Sequence, residues 1–188
     1  QGFITPTLLG DLGEYRGILI TAVVYLLTLI TSLSYQTMCL ANALFLLLFV
    51  VAAYLLAGEL ADEKAGLLAA ILAGLTPTLL RYPFAFNQDL SAGACAFFAL
   101  VVLVKTKYFS RWFWSAIFGA TLGLALLAKI TTPVYLLPAL AVAWLGSLWN
   151  KQEGRFKRYF HATIQLIYSL LVAVLVAAPF YWPRRALL

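Results

Sequence analysis

The sequence predicts an all-α protein, a polytopic bundle of helices embedded in a membrane. Of its 188 residues, 64% are hydrophobic and 11% are charged, whereas soluble domains carry about 25% charged residues. The mean hydropathy is +0.95, and apolar runs near the ~20 residues that cross a hydrocarbon core recur along the chain. Strand-like alternation is missing, so helices are the remaining way to satisfy backbone hydrogen bonds in lipid.

Seven apolar segments, separated by short polar loops, predict about six or seven membrane helices in one compact bundle. They cover residues 17–33, 39–57, 66–80, 90–104, 113–128, 133–149 and 162–179. The first segment either spans the membrane or lies along its outer surface as a juxtamembrane helix. We therefore divide the single domain into two parts. Residues 1–38 comprise the end of an external loop and the juxtamembrane helix or first span. Residues 39–188 form the transmembrane module.

The chain begins at Gln1 without an initiating Met or a basic signal-peptide region. A secretory signal peptide would need that basic region followed by a short apolar run. We expect the sequence to be a fragment of a longer chain.

The positive charge of the chain indicates topology. Thirteen Lys and Arg stand against seven Asp and Glu, a formal charge of +6, and the basic residues lie in short loops between apolar runs. That placement favours contact with anionic headgroups over nucleic acid. Loops 105–111 and 151–158 are the richest in Lys and Arg and are predicted to be cytoplasmic. Alternation then places Arg81, Asp89 and Lys129 together on the exoplasmic face.

Asp89 is the first candidate for a functional side chain. It opens an apolar run and follows Asn87 and Gln88, with Arg81 eight positions earlier in the same aromatic-rich loop. A carboxylate at this place caps a helix or complements its dipole. An ionisable group at the membrane face is equally a functional hypothesis, and the two interpretations stay open together.

Two cations are further candidates. Lys129 ends a segment rich in small residues, and it is either a lysine that snorkels to the interface or a point charge for a phosphate. Arg16 is either a topology charge or a second phosphate contact. The pattern of the sequence does not choose between these roles.

Other chemistry-bearing residues are interpreted as structural. His161 has no neighbouring metal ligand and is assigned to the interface, and the charged segment 59–64 is interpreted as a solvated turn. Cys39 and Cys95 lie in apolar runs without metal-ligand spacing and are assigned to packing. Sequence motifs of phosphate-binding loops, zinc proteases and serine hydrolases are absent from the chain.

Several stretches, taken in order, resemble the membrane-embedded C-type (GT-C) glycosyltransferases. They are "FITPTLLGDLGEYRGIL", "FAFNQDL", "GATLGLALLAK" and "APFYWPRR". The sequence is most similar to the protein O-mannosyltransferases of family 39 and the lipid A aminoarabinose transferases, which take sugars from polyprenyl-phosphate carriers. The resemblance covers nearly the whole chain, and it implies a GT-C-like module of a multi-pass protein in a bacterial inner membrane.

The resemblance also implies roles for the candidates. Asp89 matches an external acid of the family and becomes the candidate catalytic residue, and Lys129 and Arg16 would approach the carrier's phosphate. Asn87, Gln88 and Arg81 would contribute to substrate binding. The implied donor is a polyprenyl-phosphate-linked sugar, and a divalent metal is compatible with the acid, although no metal-ligand set is predicted.

The chain departs from the family pattern in two ways. The family's first external Asp-Glu pair would fall before Gln1, and the Arg that commonly enters the second spanning helix has no counterpart near residues 39–42. An alternative is therefore a non-catalytic helical subunit of this fold, packed in a larger membrane complex. A transporter is less favoured, because no pair of broken helices with a midplane charge relay is apparent.

Overall fold

The computed structural model describes residues 18–84, 88–147 and 155–181, and the side chains of the last segment from residue 159. The described residues form eight α-helices and one 3₁₀ turn, Tyr82–Phe84. The helices are α1 (Ile18–Thr28), α2 (Tyr35–Leu60), α3 (Glu63–Leu75), α4 (Pro77–Arg81), α5 (Gln88–Lys105), α6 (Trp112–Ala128), α7 (Thr132–Gly146) and α8 (Arg155–Tyr181). The predicted all-α membrane protein class is therefore confirmed.

Local sequence explains where several helices begin. The Ser34 side chain accepts a hydrogen bond from the Thr37 backbone N–H, and Asp62 does the same for Ala65 N–H at 2.8 Å, so each caps a helix N-terminus. Pro77 occupies the first turn of α4, where its missing N–H costs nothing. The predicted segment 66–80 is consequently broken, and α3 meets the Pro77–Phe84 piece at a bend of 51°.

One end of the bundle gathers the groups that the sequence assigned to the exoplasmic face. The Tyr35 hydroxyl, at the start of α2, donates to the Phe84 carbonyl at 2.7 Å. The Tyr181 hydroxyl, at the end of α8, donates to the Leu126 carbonyl at 2.9 Å, just before Lys129. We call this the Lys129 end.

The opposite end carries the loop 105–111. Lys105 at the end of α5 pairs with Glu59 at the end of α2, with Nζ and Oε1 3.0 Å apart. Trp144 Nε1 near the end of α7 donates to Thr163 Oγ1 near the start of α8 at 3.2 Å. We call this the Lys105 end. The direction of the chain thus alternates between the two ends from α2 to α8. Helices α3 and α4 together bring the chain back from the Lys105 end to the Lys129 end, where α5 begins.

Glycines on α6 allow its close approach to α8. A Cβ atom added at Gly123 would lie 2.7 Å from Val176 Cβ and 2.9 Å from the Ala173 carbonyl, and one at Gly119 would collide with the Ser169 carbonyl. Small residues four apart are the usual means by which membrane helices bring their backbones together. The Ser169 hydroxyl also donates to the Ser115 carbonyl at 2.8 Å across this contact.

The main core lies between α5, α6, α7 and α8. Its large fully buried side chains include Phe109, Phe118 and Leu136, and the rings of the two phenylalanines meet edge to face with centroids 6.1 Å apart. A second cluster joins Ile20 of α1 to Leu90 of α5. This second cluster fixes α1 beside the first turn of α5.

Helix lengths bear on the number of membrane spans. Among the described residues, α2, α5 and Tyr159–Tyr181 of α8 are long and apolar enough to cross a bilayer, and the bent piece Glu63–Leu75 with Pro77–Phe84 could be a fourth span. Helices α1, α6 and α7 have 11, 17 and 15 residues. The structure thus supports a multi-pass protein with three or four spans by length and composition. The predicted count of six or seven is not confirmed.

Candidate active site at the Lys129 end

Asp89 and Lys129 form a salt bridge. Asp89 lies in the first turn of α5, where its negative charge complements the helix dipole. Lys129 is the residue that ends α6, with an extended backbone and its N–H bonded to the Ala125 carbonyl. The Lys129 ammonium donates to Asp89 Oδ1 at 2.7 Å. Two residues 40 positions apart are thereby brought into direct contact.

The pair lies at the surface of the bundle. The side chains are 35% exposed for Lys129 and 45% exposed for Asp89, so a ligand can reach both. The hydrogen bond from Lys129 to Asp89 is the main reason that the pKa of Lys129 is raised, and the negative charge of Asp89 adds to it. Lys129 is therefore a permanent cation across the physiological pH range.

Tight packing beneath the pair holds its two helices in register. Ala92 and Cys95 of α5 contact Ala125 and Ala128 of α6 in a small buried cluster, and Leu19 of α1 packs against it. Small side chains let the two backbones come close, which places the first turn of α5 next to the end of α6. After Lys129 the chain turns at once, with the Thr132 N–H bonded to the Lys129 carbonyl at 2.9 Å, and α7 begins.

The other predicted site residues are distributed as follows. Gln88 is the first residue of α5, next to Asp89, and is half-buried. Arg81 is exposed at the end of α4, and its side chain forms no hydrogen bond or ion pair with another described residue. Arg16 and Asn87 lie outside the described residues. The site roles of all these residues stay predictions.

The described residues contain no cluster of three or more His, Cys, Asp or Glu side chains that could hold a metal ion. From its described residues this end offers one cation and one carboxylate in contact, with Arg81 as a second exposed cation at the end of α4.

A second charged contact was not predicted from the sequence. Segment 59–64 was interpreted as a solvated turn, yet Glu59 pairs with Lys105, and the same lysine lies 5.4 Å from the centre of the Trp114 ring. The signal that could have found it is the placement of an acidic and a basic loop on the same predicted side. Opposite charges at the ends of neighbouring parallel helices are expected to meet.

Comparison with known proteins identifies the family. The sequence profile of the dolichyl-phosphate-mannose-protein mannosyltransferases matches residues 16–182, which includes both members of the salt bridge and all eight helices. The chain belongs to this family of C-type glycosyltransferases, and the predicted resemblance is confirmed. No curated protein and no solved structure matches the chain significantly.

Proposed function

We propose that this protein takes part in transferring a sugar from a polyprenyl-phosphate donor to an acceptor at the Lys129 end of the bundle. Membership of the mannosyltransferase family makes mannose the first sugar to test. The observation that carries the proposal is the Asp89–Lys129 pair, whose two side chains are accessible at one end of the bundle. An accessible cation at a membrane surface suits a lipid whose phosphate lies at the same depth.

Lys129 is assigned to the donor phosphate. An ammonium group has three N–H donors, and one of them is used by Asp89. During transfer the bond between the sugar's anomeric carbon and the phosphate oxygen breaks, and its electron pair leaves with the polyprenyl phosphate. A fixed cation stabilises the charge that develops on this leaving group, an effect of about 3–4 kcal/mol for comparable preorganised groups.

Asp89 is assigned a double role. Its carboxylate fixes the Lys129 ammonium, and its accessible surface accepts a hydrogen bond from the acceptor hydroxyl. That hydroxyl forms the new bond to the anomeric carbon and gives its proton to a base or to water. Gln88, the neighbouring residue, is assigned an amide contact to the sugar or the acceptor.

The first test is donor consumption. The protein is reconstituted in vesicles with polyprenyl-phosphate mannose carrying a radioactive sugar and with a Ser/Thr-containing peptide as acceptor. The proposal expects release of polyprenyl phosphate and label in the peptide, both dependent on the protein. No release of polyprenyl phosphate with mannose or other sugars, under conditions where the protein is folded, would refute it.

A non-catalytic subunit is the second candidate. The observation that favours it is the same salt bridge, because Asp89 and Lys129 neutralise each other and tie α5 to α6 without any ligand. A purely structural pair would lower thermal stability when broken, and donor consumption would be zero in the parent protein as well. A partner that co-purifies at fixed stoichiometry would then support this alternative.

A further inference from the structure

A large cavity opens at the Lys105 end, away from the candidate active site. Its volume is about 1,040 Å³, at the upper limit of the ~300–1,000 Å³ typical of ligand pockets. Helices α2, α5 and α7 supply apolar walls that include Leu56, Leu100, Val104 and Val142. This space is large enough for the apolar part of an amphiphile.

The rim of the cavity is cationic. Lys105, Lys107 and Arg111 line it together with one acid, Glu59, which is already paired with Lys105. The rim thus carries a net charge of about +2, from three cations and one anion. Apolar walls below a cationic rim complement a ligand with an apolar tail and an anionic head.

The loop that forms this rim has an unusual backbone. Lys107, Tyr108 and Phe109 have φ angles of 49°, 60° and 59°, a left-handed conformation that side chains other than Gly rarely adopt. Three consecutive residues of this kind persist only when their surroundings hold them. The rest of the bundle must therefore supply contacts that hold this loop in its conformation.

Three contacts hold the loop in this conformation. The Phe109 ring is completely buried in the main core, and the Tyr108 ring packs against Gly146, where a Cβ atom would collide with it. The Thr106 side-chain oxygen also accepts from the Phe109 N–H at 3.2 Å. With Phe109 turned inward, Lys107 and Tyr108 are directed to the surface of the cavity, where both are exposed.

We propose that this cavity binds an anionic phospholipid of the leaflet at the Lys105 end, with its phosphate between Lys107 and Arg111 and an acyl chain along the apolar walls. Basic pockets between membrane helices are suited to anionic headgroups. The polyprenyl-phosphate donor shares this chemistry, but α5 separates the two sites by its 18 residues, about 27 Å at 1.5 Å per residue. The cavity and the Asp89–Lys129 pair therefore lie at opposite ends of the bundle, which the proposal assigns to opposite leaflets.

The test is lipid retention. The protein is purified from vesicles of phosphatidylcholine and phosphatidylglycerol in equal amounts, and native mass spectrometry counts the lipids that remain bound. We expect preferential retention of phosphatidylglycerol, reduced about tenfold or more in the double variant Lys107→Gln/Arg111→Gln. Lys64→Gln is the matched control, because Lys64 is an exposed cation near the same end that does not line the cavity; it should retain phosphatidylglycerol like the parent.

A second pair of variants separates a bound lipid from general attraction to charge. Val142→Trp fills the cavity without changing charge and should lower retention, whereas Val134→Trp, on the same helix but outside the cavity, should not. Equal retention of the two lipids, or unchanged retention in the double variant, would overturn the proposal. Displacement of phosphatidylglycerol by an equimolar amount of polyprenyl phosphate would also overturn it, in favour of a carrier-lipid site.

Discussion

At the scale of single residues, the Asp89–Lys129 ion pair is the central feature of the proposed site. Surface pairs contribute little to stability, about 0–1 kcal/mol, and the partial exposure of Asp89 and Lys129 places them in that class. Stability alone therefore gives little reason for a charged contact in a chain with so few acids. A role in binding explains the same geometry better, because both groups stay accessible to a ligand.

The first prediction concerns Asp89→Asn. This change removes the main cause of the raised Lys129 pKa, so the pKa of Lys129 should fall. The alkaline limb of the profile of transfer rate against pH should then move to lower pH. The measurement is the rate of donor consumption between neutral pH and pH values above the ordinary lysine range. Glu63→Gln is the matched control, because Glu63 is an exposed acid in the first turn of α3; its variant should keep the parental profile.

The same pair sets a pH dependence of stability. Since the folded-state pKa of Lys129 is raised, its contribution is fully present below the unfolded-state pKa and is lost as pH rises through the folded-state pKa. The thermal unfolding midpoint of the parent should therefore fall at alkaline pH, and this fall should be absent from Asp89→Asn. An identical alkaline loss in both proteins would show that Lys129 and Asp89 are not coupled in solution.

At the scale of helices, the contact of α6 with α8 positions the Lys129 end. Gly119 and Gly123 allow the close approach, and the Tyr181–Leu126 hydrogen bond extends the contact to the last turn before Lys129. The sequence showed the small residues of this segment but not their partner. Small residues predict close packing in general, whereas the choice of α8 depends on the three-dimensional arrangement.

The second prediction concerns this helix contact. Gly123→Leu should destabilise the protein by about 1–3 kcal/mol, because the added side chain meets Val176 and the α8 backbone in a packed interior. The measurement is the thermal unfolding midpoint in detergent. Gly58→Ala is the control, because a Cβ atom there meets nothing within 4 Å, and its midpoint should not decrease. Equal midpoints for Gly123→Leu and the parent would contradict the described packing.

At the scale of the whole molecule, much of the architecture could be predicted from sequence. Helices occupy most of each predicted apolar segment within the described residues, and the loop charges correctly placed Asp89 and Lys129 at one end. The break at Pro77 was missed. Proline is well accommodated in the first turn of a helix, so Pro77 could have been interpreted as the start of a new helix. The contacts Asp89–Lys129 and Glu59–Lys105 span 40 and 46 positions, and local patterns do not encode pairings of that range.

The third prediction tests the topology of the whole bundle. In a background with Cys39 and Cys95 replaced by Ala, single cysteines at Lys64 and Ile130 should react with an impermeant maleimide from opposite sides of a sealed vesicle. Both native positions are exposed and lie at opposite ends of the bundle. Labelling of both cysteines from the same side would show that the two ends do not face opposite leaflets.

The most direct test of the central claim is the rate of donor consumption by Lys129→Gln, compared with the parent and with Lys64→Gln, all verified as folded by their unfolding midpoints. If Lys129 stabilises the leaving phosphate, its variant should lose about 10²- to 10³-fold in turnover, while Lys64→Gln should keep the parental rate. Parental turnover in Lys129→Gln would contradict the account, because the cation at the end of α6 would then have no part in the transfer.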